Sequence, residues 1–101
     1  MRHRIWEEMP ADNACKNNKK VTSITIGKNV KKIGKKAFYG TKKCKTLIIT
    51  STKLTSKNVG KNAFSNMNKK VMVKVPKKKY KAYKKLLREK GLSKKAKIRK
   101  I

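Results

Sequence analysis

The stretch VTSITIGKNVKKIGKKAF (Val21–Phe38) decides how this chain is read, because it comes back. Its outline returns as CKTLIITSTKLTSKNVGKNAF (Cys44–Phe64), and its opening returns again as KVMVKV (Lys70–Val75). Val21, Ile24 and Ile26 recur 23 residues later as Cys44, Leu47 and Ile49. After 26 more residues, Leu47 and Ile49 recur as Val73 and Val75. Repetition with a period in the twenties marks a solenoid, in which each unit buries its apolar edge only by stacking on the next.

Within each unit, apolar residues spaced by two (Ile24/Ile26, Leu47/Ile49, Val71/Val73/Val75) predict short strands rich in β-branched residues. Turn chemistry follows, as Gly27-Lys28-Asn29 and then Thr50-Ser51-Thr52. The second halves, IGKKAF (Ile33–Phe38) and VGKNAF (Val59–Phe64), also match. Gly34 and Gly60 occupy equivalent places, where a positive φ or a close backbone approach calls for glycine. Phe38 and Phe64 are expected to fill the core on the side opposite the strands. The second unit carries three extra residues in its first loop, so Leu54 takes the place of Val30.

The two ends read differently. Pro76 closes the third strand, and YKAYKKLLREKGL places Tyr80, Tyr83 and Leu87 on one stripe with Leu86 beside them. Gly91 fits a helix stop and Leu92 its hydrophobic contact. The helix is poor in isolation. Lys77, Lys78 and Lys79 meet the positive end of its dipole, and Lys77/Lys81/Lys85 are like charges one turn apart. It must therefore dock on the last repeat as a cap. Lys95–Ile101 add a short extended piece through Ala96 and Ile98. Residues 1–20 show no copy of the repeat. They are expected to be an irregular leader, helical at most around Ile5–Met9, whose failure to cover Val21–Ile26 would leave an open sheet edge. The resulting division is a leader at 1–20, repeats at 21–75, and a capping helix with basic tail at 76–101.

Composition narrows the function. Lys and Arg number 32 against four acids, a net +28, so the chain repels itself and is drawn to polyanions of any kind. No apolar run approaches the roughly 18 residues of a membrane span. The start of the chain has no apolar h-region, so no signal peptide is expected. Cys15 and Cys44 permit one disulfide. With His3 they are too few for a metal site, and no cofactor is expected.

Catalysis is set aside. Glu7, Glu8 and Asp12 crowd one end, while Glu89 is isolated on the helix and paired at most with a nearby lysine. His3 has no evident orienting partner, and a Cys15–His3 dyad is remote. GKNVKKIGKK lacks the glycine spacing of a phosphate loop. Nucleic acid is the serious rival partner, since this charge guarantees salt-sensitive attraction to phosphates. Arginine for reading base edges is nearly absent, however, and the aromatics lie at core or cap positions. Such binding would be non-specific.

Across Val21–Ile98 the pattern resembles the BspA-like leucine-rich repeats. It is carried by Val21, Ile24, Ile26, Val30, Ile33, Gly34, Ala37 and Phe38, and again by Cys44, Leu47, Ile49, Val59, Gly60, Ala63 and Phe64. Thr41 and Met67 depart from it where the family often has cysteine, and Cys44 stands at a usual leucine, as a small core residue. The resemblance implies an α/β fold: a short leucine-rich-repeat solenoid with a small parallel sheet, closed by a lysine-rich C-terminal capping helix. It further implies a non-catalytic module for protein binding or adhesion at a bacterial cell surface, either as part of a larger surface protein or as a truncated relative. The outward face of the sheet would be the contact surface, with Ser23, Thr46 and Met72 in one row and Thr25, Ile48 and Lys74 in the next. Ile48 and Met72 would be the apolar anchors. Lysines on the turns and the cap would attach the chain to a cell-wall or glycan polyanion. The alternatives are a basic nucleic-acid-binding protein or a fragment without independent function.

Overall fold

A computed structural model describes residues 3–101; residues 1 and 2, part of the expected leader, lie outside it. Among the described residues, five four-residue strands form one parallel sheet in sequence order: β1 (His3–Trp6), β2 (Ser23–Ile26), β3 (Thr46–Ile49), β4 (Met72–Val75) and β5 (Lys97–Lys100). One helix, α1 (Tyr80–Glu89), follows a single 3-10 turn at Lys77–Lys79. The register aligns Ile24 with Leu47 and Leu47 with Val73, as the repeat demands. All three are fully buried, and so are Ile26, Ile49 and Val75, which lie beside them or nearly so.

The leader is a correction. Residues 3–6 are strand, not irregular or helical, and pair with β2 along its whole length. Residues 10–17 form the back of a further coil. Gly34 N–H donates to Pro10 O at 2.8 Å, Cys15 N–H to Ala37 O at 2.6 Å, and Asn17 N–H to Tyr39 O at 2.7 Å. The next pair of coils repeats this ladder: Gly60 N–H to Ile33 O at 2.8 Å, Phe38 N–H to Ala63 O at 2.9 Å, and Gly40 N–H to Ser65 O at 3.1 Å. The copy went unseen because its apolar signature is missing. Arg4 stands in register with Ile24, and Cys15 at the phenylalanine position. Asp12, expected in an unstructured end, accepts Lys35 N–H at 2.8 Å and joins the first coil to the second.

Behind the sheet runs an aromatic column. Phe38 and Phe64 stack with centroids 5.9 Å apart, and Trp6 meets Phe38 edge-on at 6.3 Å. Trp6 belongs to β1, yet its indole covers the end of the column that the small Cys15 leaves short. Arg4 lies over the indole at 4.7 Å and closes that end with a cation–π contact. The ladder also explains the paired glycines. A Cβ on Gly60 would sit 2.4 Å from Lys35 N, and one on Gly34 would sit 2.3 Å from Asp12 N. Backbone of the neighbouring coil occupies the space, so close approach, not positive φ, selects glycine there.

Helix α1 closes the other end. Tyr83, Leu86 and Leu87 are buried against the last coil. The helix has no side-chain N-cap and no acid in its first turn, so docking must stabilise it. The Tyr83 hydroxyl donates to Ser51 O at 2.8 Å and accepts Leu54 N–H at 3.1 Å, which fixes the loop holding the three extra residues. Gly91, at φ 102°, ends the helix with Leu92 N–H on Leu87 O and Gly91 N–H on Arg88 O. Lys90 O then accepts Phe64 N–H at 3.1 Å, so the helix end continues the back ladder in place of another coil. The expected tail through Ala96 and Ile98 is β5, a full member of the sheet.

Candidate binding face

Alternation along each strand sends every second side chain outward. The outer face therefore has two rows. One runs His3, Ser23, Thr46, Met72, Lys97; the other runs Ile5, Thr25, Ile48, Lys74, Arg99. The six residues expected from sequence occupy these rows in the expected order. Ser23, Thr25, Thr46, Ile48 and Met72 are half-buried and Lys74 is exposed. His3 and Ile5 at one end, with Lys97 and Arg99 at the other, were missed. The spacing of 23 from Ala14 to Ala37 was the one sequence signal that could have revealed the first pair.

His3 does have partners. Its Nδ1 is hydrogen-bonded to the Ser23 hydroxyl, and its Nε2 lies 3.3 Å from Thr25 Oγ1. These contacts knit the first two strands on the outer face, while Cys15 is buried in the core, so no Cys–His dyad assembles. Glu89 is engaged by Lys90 at 4.0 Å and by the Ser56 hydroxyl. Among the described residues no cluster of three His, Cys, Asp or Glu side chains is placed to hold a metal.

Both cysteines are free and buried. Burial pushes the Cys44 thiol up to about 11, with Thr46 O accepting its weak hydrogen bond at 3.3 Å. Burial raises Cys15 as well, partly offset by the Arg4 charge. The thiolate is the reactive species. Native Cys44 at pH 8 is therefore expected to react with an aromatic disulfide reagent about a hundredfold more slowly than in the urea-unfolded chain. Equal rates in the two states would show the thiol to be accessible.

A parallel-sheet solenoid with a polar outer face, two half-buried apolar side chains and a cationic rim defines a repeat module with a presented surface. The family model described as BspA type leucine rich repeat region (6 copies) matches residues 10–99, and the chain belongs to that family. Repeats of this type are suited to protein binding, and the family is associated with bacterial surface proteins. Comparison with curated proteins and with solved structures found no match. No helix among the described residues is long and apolar enough to cross a membrane.

Proposed function

We propose that this chain is a non-catalytic binding module that acts at a bacterial cell surface. It engages a protein partner through the outer sheet face, with its lysine surplus holding it to acidic polymers nearby. The observation that carries this reading is the placement of Ile48 and Met72. They are half-buried on adjacent strands in the middle of the face, flanked by Thr25 and Thr46 and bordered by Lys74, Lys97 and Arg99. Desolvated apolar anchors inside a polar rim are where interfaces concentrate their affinity. The cations add speed of encounter more than selectivity.

The test is binding to protein-bearing cell envelope and to duplex DNA across a salt series. Envelope binding is expected to keep a component above about 0.3 M salt, where purely electrostatic attachment has collapsed. The double variant Ile48→Glu, Met72→Glu should abolish that component while the chain still unfolds at the wild-type temperature. Parallel loss of envelope and DNA binding over the same salt range would sink the reading.

A further inference from the structure

Four lysine doublets fall at one recurring place in the fold. Lys19-Lys20 precede β2, Lys42-Lys43 precede β3, Lys69-Lys70 precede β4, and Lys94-Lys95 precede β5. Each doublet is exposed and is followed at once by a buried residue: Val21, Cys44, Val71 or Ala96. Each also occupies the two central positions of a four-residue turn. Cys44 N–H closes one turn on Thr41 O, Val71 N–H closes another on Asn68 O, and Ala96 N–H closes a third on Ser93 O, each at 3.1 Å. In the remaining turn, Asn18 Oδ1 accepts Lys20 N–H at 2.9 Å and Val21 N–H at 3.2 Å.

The backbone does not require lysine at these positions, because the centre of a common turn accepts most residues. Nor does stability favour it, since like charges on neighbouring strands destabilise. The charge is also uncompensated. Asp12 is bound to the second coil and Glu89 to Lys90 and Ser56, while Glu7 and Glu8 follow β1 at the opposite ends of the strands. Parallel pairing stacks the four turns with a strand-to-strand pitch of about 4.8 Å, so they form a cationic rail about 14 Å long. The rail steps by one residue at its middle, because Cys44 and Lys45 separate Lys43 from β3 whereas Val71 alone separates Lys70 from β4. Its middle is indented. A depression of about 470 Å³ joins Lys42, Lys69 and Lys70 to Asn66, Asn68 and Ser93, setting amide and hydroxyl groups among the ammonium groups.

We infer that this rail is a binding site for a linear anionic polysaccharide, laid along the solenoid axis with its charges against successive doublets. The inference deepens the acidic-polymer half of the proposed function and rests on it. Lysine presents compact point charges that suit spaced sulfates or carboxylates, and the amides and hydroxyls in the depression suit sugar hydroxyls. Duplex DNA carries its charge at about one per 1.7 Å on two strands, a poor match to a single rail of this pitch. Single-stranded nucleic acid is held by stacking on aromatic rings, and the depression is lined by none.

The test compares two fourfold variants of the full chain that remove the same charge. One is Lys42→Gln, Lys43→Gln, Lys69→Gln, Lys70→Gln on the rail; the other is Lys77→Gln, Lys78→Gln, Lys81→Gln, Lys85→Gln on the cap. Heparin-derived oligosaccharides of defined length are the probe, measured by calorimetry near physiological salt. The rail variant is expected to lose about tenfold or more in affinity and the cap variant less than about threefold. Affinity for wild type should level off once the oligosaccharide spans the rail. The charge-neutral variant Ile48→Ser, Met72→Ser should leave this binding unchanged, which separates failure of the rail from failure of the sheet face. Equal losses in the two fourfold variants would reduce the site to bulk charge. An equally rail-dependent affinity for oligothymidylate of matched charge would make it a nucleic-acid site and overturn the assignment.

Discussion

A chain ending at Val75 is expected to show no cooperative unfolding transition by heat or urea. The truncation removes α1 and β5, and with them the cover over Val71, Val73 and Val75, all fully buried in the intact chain. It also strips Tyr83 from Ser51 O and Leu54 N–H, and Lys90 O from Phe64 N–H. Each backbone group left buried and unpaired costs about 1–3 kcal/mol, a large share of the roughly 5–15 kcal/mol that stabilises a domain. A solenoid gains its stability from the interfaces between units, so an uncapped end cannot be offset elsewhere. Circular dichroism melts of both chains decide the matter. A sharp transition in the truncated chain would show that the coils are self-sufficient and the helix is ornamental.

Replacing Phe38 by alanine should destabilise the chain by about 3–5 kcal/mol. The ring is fully buried between Trp6 and Phe64, and its removal opens a cavity at the middle of the column, where coils on both sides are held by backbone hydrogen bonds and cannot close in. Urea unfolding followed by Trp6 fluorescence reads the loss, and Phe38→Leu should recover more than half of it. A cost below about 1 kcal/mol for the alanine variant would mean that the column contributes little.

How much of this was legible varies along the chain. β2, β3 and β4 are plain in the sequence, because Ile24/Ile26, Leu47/Ile49 and Val73/Val75 repeat the same spacing of two at intervals of 23 and 26 residues. Their outward neighbours followed, since strand alternation fixes the face once the inner row is known. The helix and its stop at Gly91 were equally plain. The first coil was hidden for a physical reason. Its inner positions are filled by Arg4 and Trp6, whose cation–π contact replaces the pair of aliphatic residues found in later coils, so the apolar alternation that marks those coils is absent. Without that apolar pattern, strand alternation in the sequence does not place His3 and Ile5 on the face, nor does it tie Asp12 to the second coil.

The sequence alone determined the solenoid, the inner row of the sheet, the phenylalanine pair and the cap, because each is a periodic apolar pattern whose burial has one geometric solution. Only the tertiary structure decided that residues 3–17 are a coil, that close approach and not dihedral freedom selects Gly34 and Gly60, and that four separate lysine doublets form a single rail. Those facts arise from atoms some 22 to 27 residues apart brought side by side, and no local pattern encodes which side chain will lie against which.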